Sequence, residues 1–434
     1  MFRMYDLIEK KKQGNTLTKE EIDFIINGYT KDEIPDYQMS AFLMAVYFQG
    51  MTMEEIADLT MAMANSGDML DLSRIPGRKL DKHSTGGVGD KTTLIVGPIM
   101  AALGVPTAKM SGRGLGATGG TIDKLDSIPG FRSDLSEEEF ISVVNTAGFS
   151  DVGQTKELAP ADKKIYALRD VTATVDSIGL IASSIMSKKI ASGADAIVLD
   201  VKCGSGAFMK DFETAKRLGE TMKLLGEKAG RKCDYVISDM NEPLGVMVGN
   251  ALEVKEAVEF LKGRREPRLE RLVEVLCVKM LMLSDKGCGI STDEAREKVR
   301  EVLENGAALG AFRKFIICQH GDPSFIDDLS ILPSAEIREE VRSEKSGFIV
   351  SCNTEEIGIA SMVLGGGRMK KEDEIDPAVG IEICRKIGDE VHVGDVIAVI
   401  YGQSMEKIEL AKKKILEAYT LEKKSVEIHD IILG

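Results

Sequence analysis

Apolar positions along the first seventy residues recur with helical spacing, and polar residues fill the faces between them. Thr18 with Glu21, and Thr52 with Glu55, form capping boxes ahead of apolar-periodic runs and so mark helix starts. Pro35 separates two of these segments. Ser40 to Phe48 (SAFLMAVYF) is apolar on nearly every face, which predicts a buried helix or a helix at a subunit contact. Near residue 80 the pattern changes to short apolar runs alternating with glycine loops and helical stretches. Pro106 to Met110, Ala196 to Val201 and Tyr235 to Ile237 read as strands, with helices predicted over about Thr92 to Leu103 and Phe212 to Lys228. Such alternation predicts an α/β domain with a largely parallel sheet.

Asp162 to Lys189 is helical again and interrupts the α/β pattern, so it is assigned with the N-terminal helices to one small all-helical domain. In the last hundred residues, Gly347 to Val350 and Ile381 to Cys384 read as short strands, and Gly388 to Ile397 as two strands around a turn. The expected organisation is a helical domain (1–71 with 162–190), a larger α/β domain with a mostly parallel central sheet (72–161 with 191–335) and a C-terminal α+β module (336–434). A cleft between the first two is the expected substrate site.

Composition narrows the function. With 434 residues, 43% apolar and 29% charged, the chain is long enough for two or three packed domains. A formal charge of −14 argues against a nucleic-acid partner, although cations gathered in one cleft still capture a small anion. No apolar segment has the length of a membrane span or a signal core, and the seven dispersed cysteines lack a CxxC pair. Reduced thiols and a cytoplasmic location are expected. His320, His392 and His429 are isolated and read as surface or packing residues; the runs 137–139 (Glu) and 412–414 (Lys) read as solvated helix faces.

The chemistry concentrates in three segments. The first is KHSTGGVGD (82–90), followed by Lys91, Thr92 and Thr93. The second is SGRGLGATGGTIDKLDSIPGF (111–131), preceded by Lys109 and Met110. Glycines let backbone N–H groups close around an oxyanion, and a following helix N-terminus adds partial positive charge. Lysine and hydroxyl side chains add the donors that phosphate needs. Two such loops, each headed by Lys and about 25 residues apart on successive predicted strands, point to an anion site. Neither has the Walker pattern nor a dinucleotide fingerprint, which favours phosphate itself over ATP or NAD. The third segment, YALRDVTATVDSIGLIASSIMSKK (166–189), offers Arg169 and Lys188 on either side of a predicted loop.

These three segments, together with DYQMSA at 36–41, closely resemble the thymidine and pyrimidine-nucleoside phosphorylase family, and the resemblance spans nearly the whole chain. It implies phosphorolysis of pyrimidine nucleosides by inorganic phosphate, giving free base and (2-deoxy)ribose 1-phosphate, in a homodimer with no organic cofactor. It implies a phosphate site of Lys82, His83, Ser84, Thr93, Lys109, Met110, Ser111 and Thr121. Arg169, Ser184 and Lys188 are implied to hold the pyrimidine, with Arg169, Lys188 and His83 doing the catalytic work. It further implies a potassium site from Gly89, Leu244, Met247, Glu256 and the residue at 91. The chain departs from the family pattern at Ala117, where His near the pyrimidine O2 is usual, and at Asp126, where Glu is usual. It departs again at Lys91, where Thr is usual, so the Lys91 ammonium is expected to take the cation's place beside Glu256. Two other readings stay open: an anthranilate-type phosphoribosyltransferase, and a non-catalytic protein that binds nucleoside or phosphate.

Overall fold

The computed structural model describes residues 2–114, 119–155, 157–368, 370 and 373–434. Leu115 to Thr118 of the second glycine loop, and with them the expectation for Ala117, lie outside the described residues.

Four helices open the chain: α1 (Met4–Lys12), α2 (Lys19–Thr30), α3 (Asp36–Gln49) and α4 (Met53–Ala64). Both capping boxes form, with Thr18 and Thr52 accepting from the backbone N–H of Glu21 and Glu55 while those glutamates accept in return. The helices bury one core with Ala161, Ile165 and Leu180 from later in the chain. Only one face of α3 is buried, through Met39, Phe42, Leu43 and Val46, whereas Phe48 on the other side is 75% exposed. The apolar pattern of α3 therefore records a second surface in addition to the core.

The α/β part contains β1 (Leu80–Ser84), α5 (Thr92–Ala102), β2 (Thr107–Ser111), α6 (Thr121–Leu125), α7 (Glu137–Ala147) and β3 (Phe149–Gly153). After the inserted α8 (Pro160–Val171) and α9 (Ile178–Ala191) come β4 (Ala196–Cys203), α10 (Phe212–Lys228) and β5 (Lys232–Asp239). The five strands pair in the order β3-β2-β1-β4-β5, all parallel. Helices on both faces force the interior strand β4, between β1 and β5, to be buried along its whole length. The chain turns outward in opposite directions from β1 and β4, so the crevice at their carboxyl ends is the place where such sheets bind ligands.

Then follow β6 (Met247–Val248), α11 (Asn250–Leu261), α12 (Pro267–Leu283), α13 (Thr292–Glu304) and α14 (Ala307–Cys318). The last part holds β7 (Ile337–Arg342), β8 (Gly347–Cys352), α15 (Thr354–Ser361), β9 (Gly380–Ile383), β10 (Glu390–Val391), β11 (Val396–Gly402), α16 (Met405–Ala418) and β12 (Tyr419–Glu422). The segment expected to form two strands around a turn does contain β10 and β11, but they join different sheets. β10 pairs with β8, while β11 pairs with β7 and β9, and Val391 and Ile397 fill the one core between the sheets. A two-residue strand, β6, leaves the α/β part to become the edge of the C-terminal sheet beside β9.

Candidate active site

Each glycine segment leaves the carboxyl end of a strand and runs to a helix start, from β1 to α5 and from β2 to α6. Backbone N–H groups at helix starts lack intrahelical partners, which makes such starts a common place for an anion. Loop one is tied to β4, because Thr85 N–H donates to the Asp200 carbonyl at 3.0 Å and Lys202 N–H donates to Thr85 Oγ1 at 2.9 Å. Gly86 and Gly89 have φ of +93° and +75°, and a Cβ at Gly89 would meet the Leu244 carbonyl at 2.7 Å. Only glycine fits that close approach.

Of the residues the sequence singled out for phosphate, His83 and Ser84 end β1, Met110 and Ser111 end β2, and Thr93 and Thr121 stand in the first turns of α5 and α6. Ser84 Oγ accepts from Gly86 N–H at 3.3 Å, and Ser111 Oγ donates to Asp151 at 2.9 Å. Lys82 and Lys109 are buried within the sheet. Lys82 donates to Thr92 Oγ1 at 2.5 Å and lies 3.5 Å from Asp200; Lys109 donates to the Lys82 carbonyl at 2.5 Å. Their ammonium groups thus brace the loops from behind.

Sequence reasoning missed the rest of this charged layer. Lys189 donates to Asp81 at 2.7 Å and to the Met110 carbonyl at 2.9 Å, while Lys202 pairs with Asp200 at 2.7 Å. The available signal was a charge inside an apolar strand run, as at Asp81 and Asp200, which is costly unless paired. Burial, reinforced by Lys189, Lys109, Lys188 and Lys82, holds the His83 imidazole well below its usual pKa, so at neutral pH it carries no charge. Burial also pushes Asp151 up to about 6 and Lys189 down to about 8. Burial opposes ionisation of Asp90 too, but Lys82, Lys202 and Lys124 overcome it and keep that carboxyl well below its ordinary range.

The third segment forms α8, a turn and α9. Arg169 is 1% exposed, and its guanidinium donates to three carbonyls: Thr174 at 3.1 Å, Leu180 at 3.1 Å and Val175 at 2.5 Å. It shapes the turn between the helices and keeps two of its five N–H groups in reserve. Ser184 and Lys188 lie one helical turn apart on α9, with their polar atoms 3.3 Å apart. Lys188 is 23% exposed, and its ammonium also meets Asp162 at 2.7 Å and the Tyr166 ring at 6.0 Å.

At the end of loop one, the Lys91 side chain turns inward and is 1% exposed. Its ammonium donates to the carbonyls of Leu244 at 2.8 Å and Met247 at 2.7 Å and to Glu256 at 2.5 Å. Glu256 in turn accepts the backbone N–H groups of Val246 and Met247, each at 2.8 Å. These residues suit an ammonium already in place and do not fit an added monovalent ion. Gly245 has φ +69°, and a Cβ there would stand 2.3 Å from Glu256 Oε1. Gly245→Ala is therefore expected to lower the melting temperature, by strain worth about 1–3 kcal/mol; a scanning-calorimetry trace matching wild type would contradict the packing described.

The chain matches a family model described as "Glycosyl transferase family, helical bundle domain" over residues 5–67 and "Glycosyl transferase family, a/b domain" over 76–309. A model described as "Pyrimidine nucleoside phosphorylase C-terminal domain" matches 348–422. The pyrimidine-nucleoside phosphorylase of Geobacillus stearothermophilus is 55% identical over 415 residues, covering 96% of this chain and 95% of that one. That of Staphylococcus haemolyticus is 52% identical over 433 residues, covering 99% of both. The solved anthranilate phosphoribosyltransferase of Thermus thermophilus superposes with a TM-score of 0.57 at 20% identity, over 72% of this chain and 98% of that one. That last likeness is one of fold.

Proposed function

The chain belongs to the pyrimidine-nucleoside phosphorylases within this glycosyl transferase family, and from that premise we propose how its site performs the phosphorolysis of pyrimidine nucleosides. Uridine, thymidine and deoxyuridine are the proposed substrates. Inorganic phosphate sits between the two glycine loops against His83, Ser84, Thr93, Met110, Ser111 and Thr121, with the buried Lys82 and Lys109 adding positive charge from behind the loops. A phosphate oxygen bonds to the anomeric carbon as the bond from that carbon to N1 of the base breaks, through an oxocarbenium-like state. The electron pair of the broken bond leaves with the pyrimidine and spreads over its N1 and carbonyl oxygens. Lys188, Ser184 and Arg169 face that developing charge, and fixed donors stabilise it without reorganising water. His83, uncharged, adds a hydrogen-bond donor to the site without repelling the neighbouring lysines.

The observation that carries this reading is the pair of loops leaving adjacent parallel strands, each opening a helix, over a layer of buried lysines. Incubating the protein with each of the three nucleosides should release free base only when phosphate is present. Activity with phosphoribosyl pyrophosphate in place of nucleoside and phosphate would reverse the assignment. Release of no base from any nucleoside would favour a binding protein. Ala117→His is expected to change the rate or the preference among bases in the same assay; identical constants would make position 117 idle.

We infer in addition that Lys91 replaces the potassium ion of related sites, supported by the two carbonyls and the carboxylate that its ammonium engages. A cytoplasmic homodimer is the proposed state of the protein. The exposed face of α3 around Phe48, with Ile8 and Met44 nearby, is the proposed contact. Among the described residues no helix is long and apolar enough to cross a membrane.

A further inference from the structure

Asp162 stands in the first turn of α8, behind the residues assigned to the nucleobase, and nothing in the phosphorolysis chemistry above calls on it. Its side chain is 3% exposed. One carboxylate oxygen accepts the Lys188 ammonium at 2.7 Å, and the other is buried with no hydrogen-bond partner among the described residues. As a contribution to stability, a buried pair of this kind is close to neutral, because desolvation offsets the attraction. Its effect lies in where it places the ammonium.

Lysine carries about 2 kcal/mol of rotamer entropy, so an unguided ammonium samples many positions. Here three groups fix it: Asp162 and the Tyr166 ring on α8, and Ser184 on its own helix. Asp162, Tyr166 and Arg169 are spaced by four and three residues and share one face of α8. Asp162 and Arg169 also border a single cavity of about 10 Å³ in the helical core, with Ile165 and Leu180. Among the neighbouring charges, Asp162 does most to offset the burial of the Arg169 guanidinium. One carboxylate therefore serves two cations on two helices.

We propose that Asp162 is a positioning residue for the nucleobase: it aims the Lys188 ammonium by direct contact and supports the charge of Arg169 across the cavity. The inference rests on the assignment of Lys188 and Arg169 to the pyrimidine. It predicts a fault confined to one substrate, because among the described residues the Asp162 carboxylate bonds to Lys188 and to no residue of either glycine loop.

The test compares Asp162→Asn, Asp162→Glu and Lys188→Ala in the full-length protein, with KM and kcat measured separately for nucleoside and phosphate. Asp162→Asn is expected to lower kcat/KM for nucleoside roughly 10-fold through misplacement of the ammonium, with the phosphate KM within about twofold of wild type. Asp162→Glu keeps the charge and is expected to recover part of the loss; it also serves as the probe should the Asn protein fail to fold. Unchanged nucleoside constants in Asp162→Asn, or equal damage to both substrates without recovery by Glu, would overturn the proposal. The outcome for Lys188→Ala separates the two layers. Wild-type rates in that variant would remove the nucleobase assignment itself, whereas a damaged Lys188→Ala beside an intact Asp162→Asn would remove only the role of Asp162.

Discussion

Replacing Lys188 by alanine is expected to lower kcat/KM about 100-fold, the usual effect of removing one fixed donor from a developing anion. Lys188 is the partly exposed cation of the third segment, held by Asp162, Ser184 and the Tyr166 ring, with one of its three N–H donors left for a ligand. Pre-steady-state and steady-state rates with uridine and phosphate measure the loss, and a rate within a few-fold of wild type would contradict the assignment. Arg169→Ala is expected to lower kcat/KM by a similar factor, but with a second consequence. Its guanidinium satisfies three backbone carbonyls, so truncation leaves them without donors at about 1–3 kcal/mol for each one kept from water. Arg169→Ala should therefore melt earlier than wild type. Arg169→Lys, a point charge on a flexible stem, should not replace the fork that reaches all three carbonyls.

Lys91→Met is expected to be the most destabilising of the substitutions considered. It leaves the Glu256 carboxylate buried without its cation and two carbonyls without donors, and breaking one side of a buried pair costs about 3–5 kcal/mol. The melting temperature should fall sharply, and activity should fall with it because loop one loses its anchor. The informative companion is Lys91→Thr, which removes the ammonium and installs the hydroxyl residue that the family resemblance implies is usual at this position. Its melting temperature and activity should rise with potassium chloride more than with sodium chloride, whereas wild type should respond equally to both salts. A selective response of wild type to potassium would mean that the ammonium does not do the ion's work.

Much of this architecture was legible from local pattern. Capping boxes at Thr18 and Thr52, the strand runs and the two glycine loops depend on neighbours a few residues apart, and sequence spacing reports those directly. The partners of the buried charges were not legible. Lys189 meets Asp81 across 108 positions, and Lys91 meets Glu256 across 165; the first pairing depends on how α9 is set beside β1, and the second was suggested only by a family resemblance. Helical spacing placed Arg169 on α8 but could not say that its guanidinium would close the following turn. Likewise, the alternation of Gly388 to Ile397 identified two strands, while their assignment to separate sheets depends on which neighbour each edge meets.

The short strand β6 carries a consequence for dissecting the molecule. Its Met247 carbonyl grips Lys91, and its backbone zips onto β9, so the last hundred residues and the first glycine loop are both hydrogen-bonded to the same short peptide. Val88 and Val248, from outside the C-terminal module, complete that module's core. Excising 336–434 would strip a partner from the peptide that steadies loop one, and producing that fragment alone would bare the flank of β9 and hollow its interior. Boundaries drawn where the composition shifts are thus poor places to cut: the genetic order of the segments and the mechanical order of the parts are different.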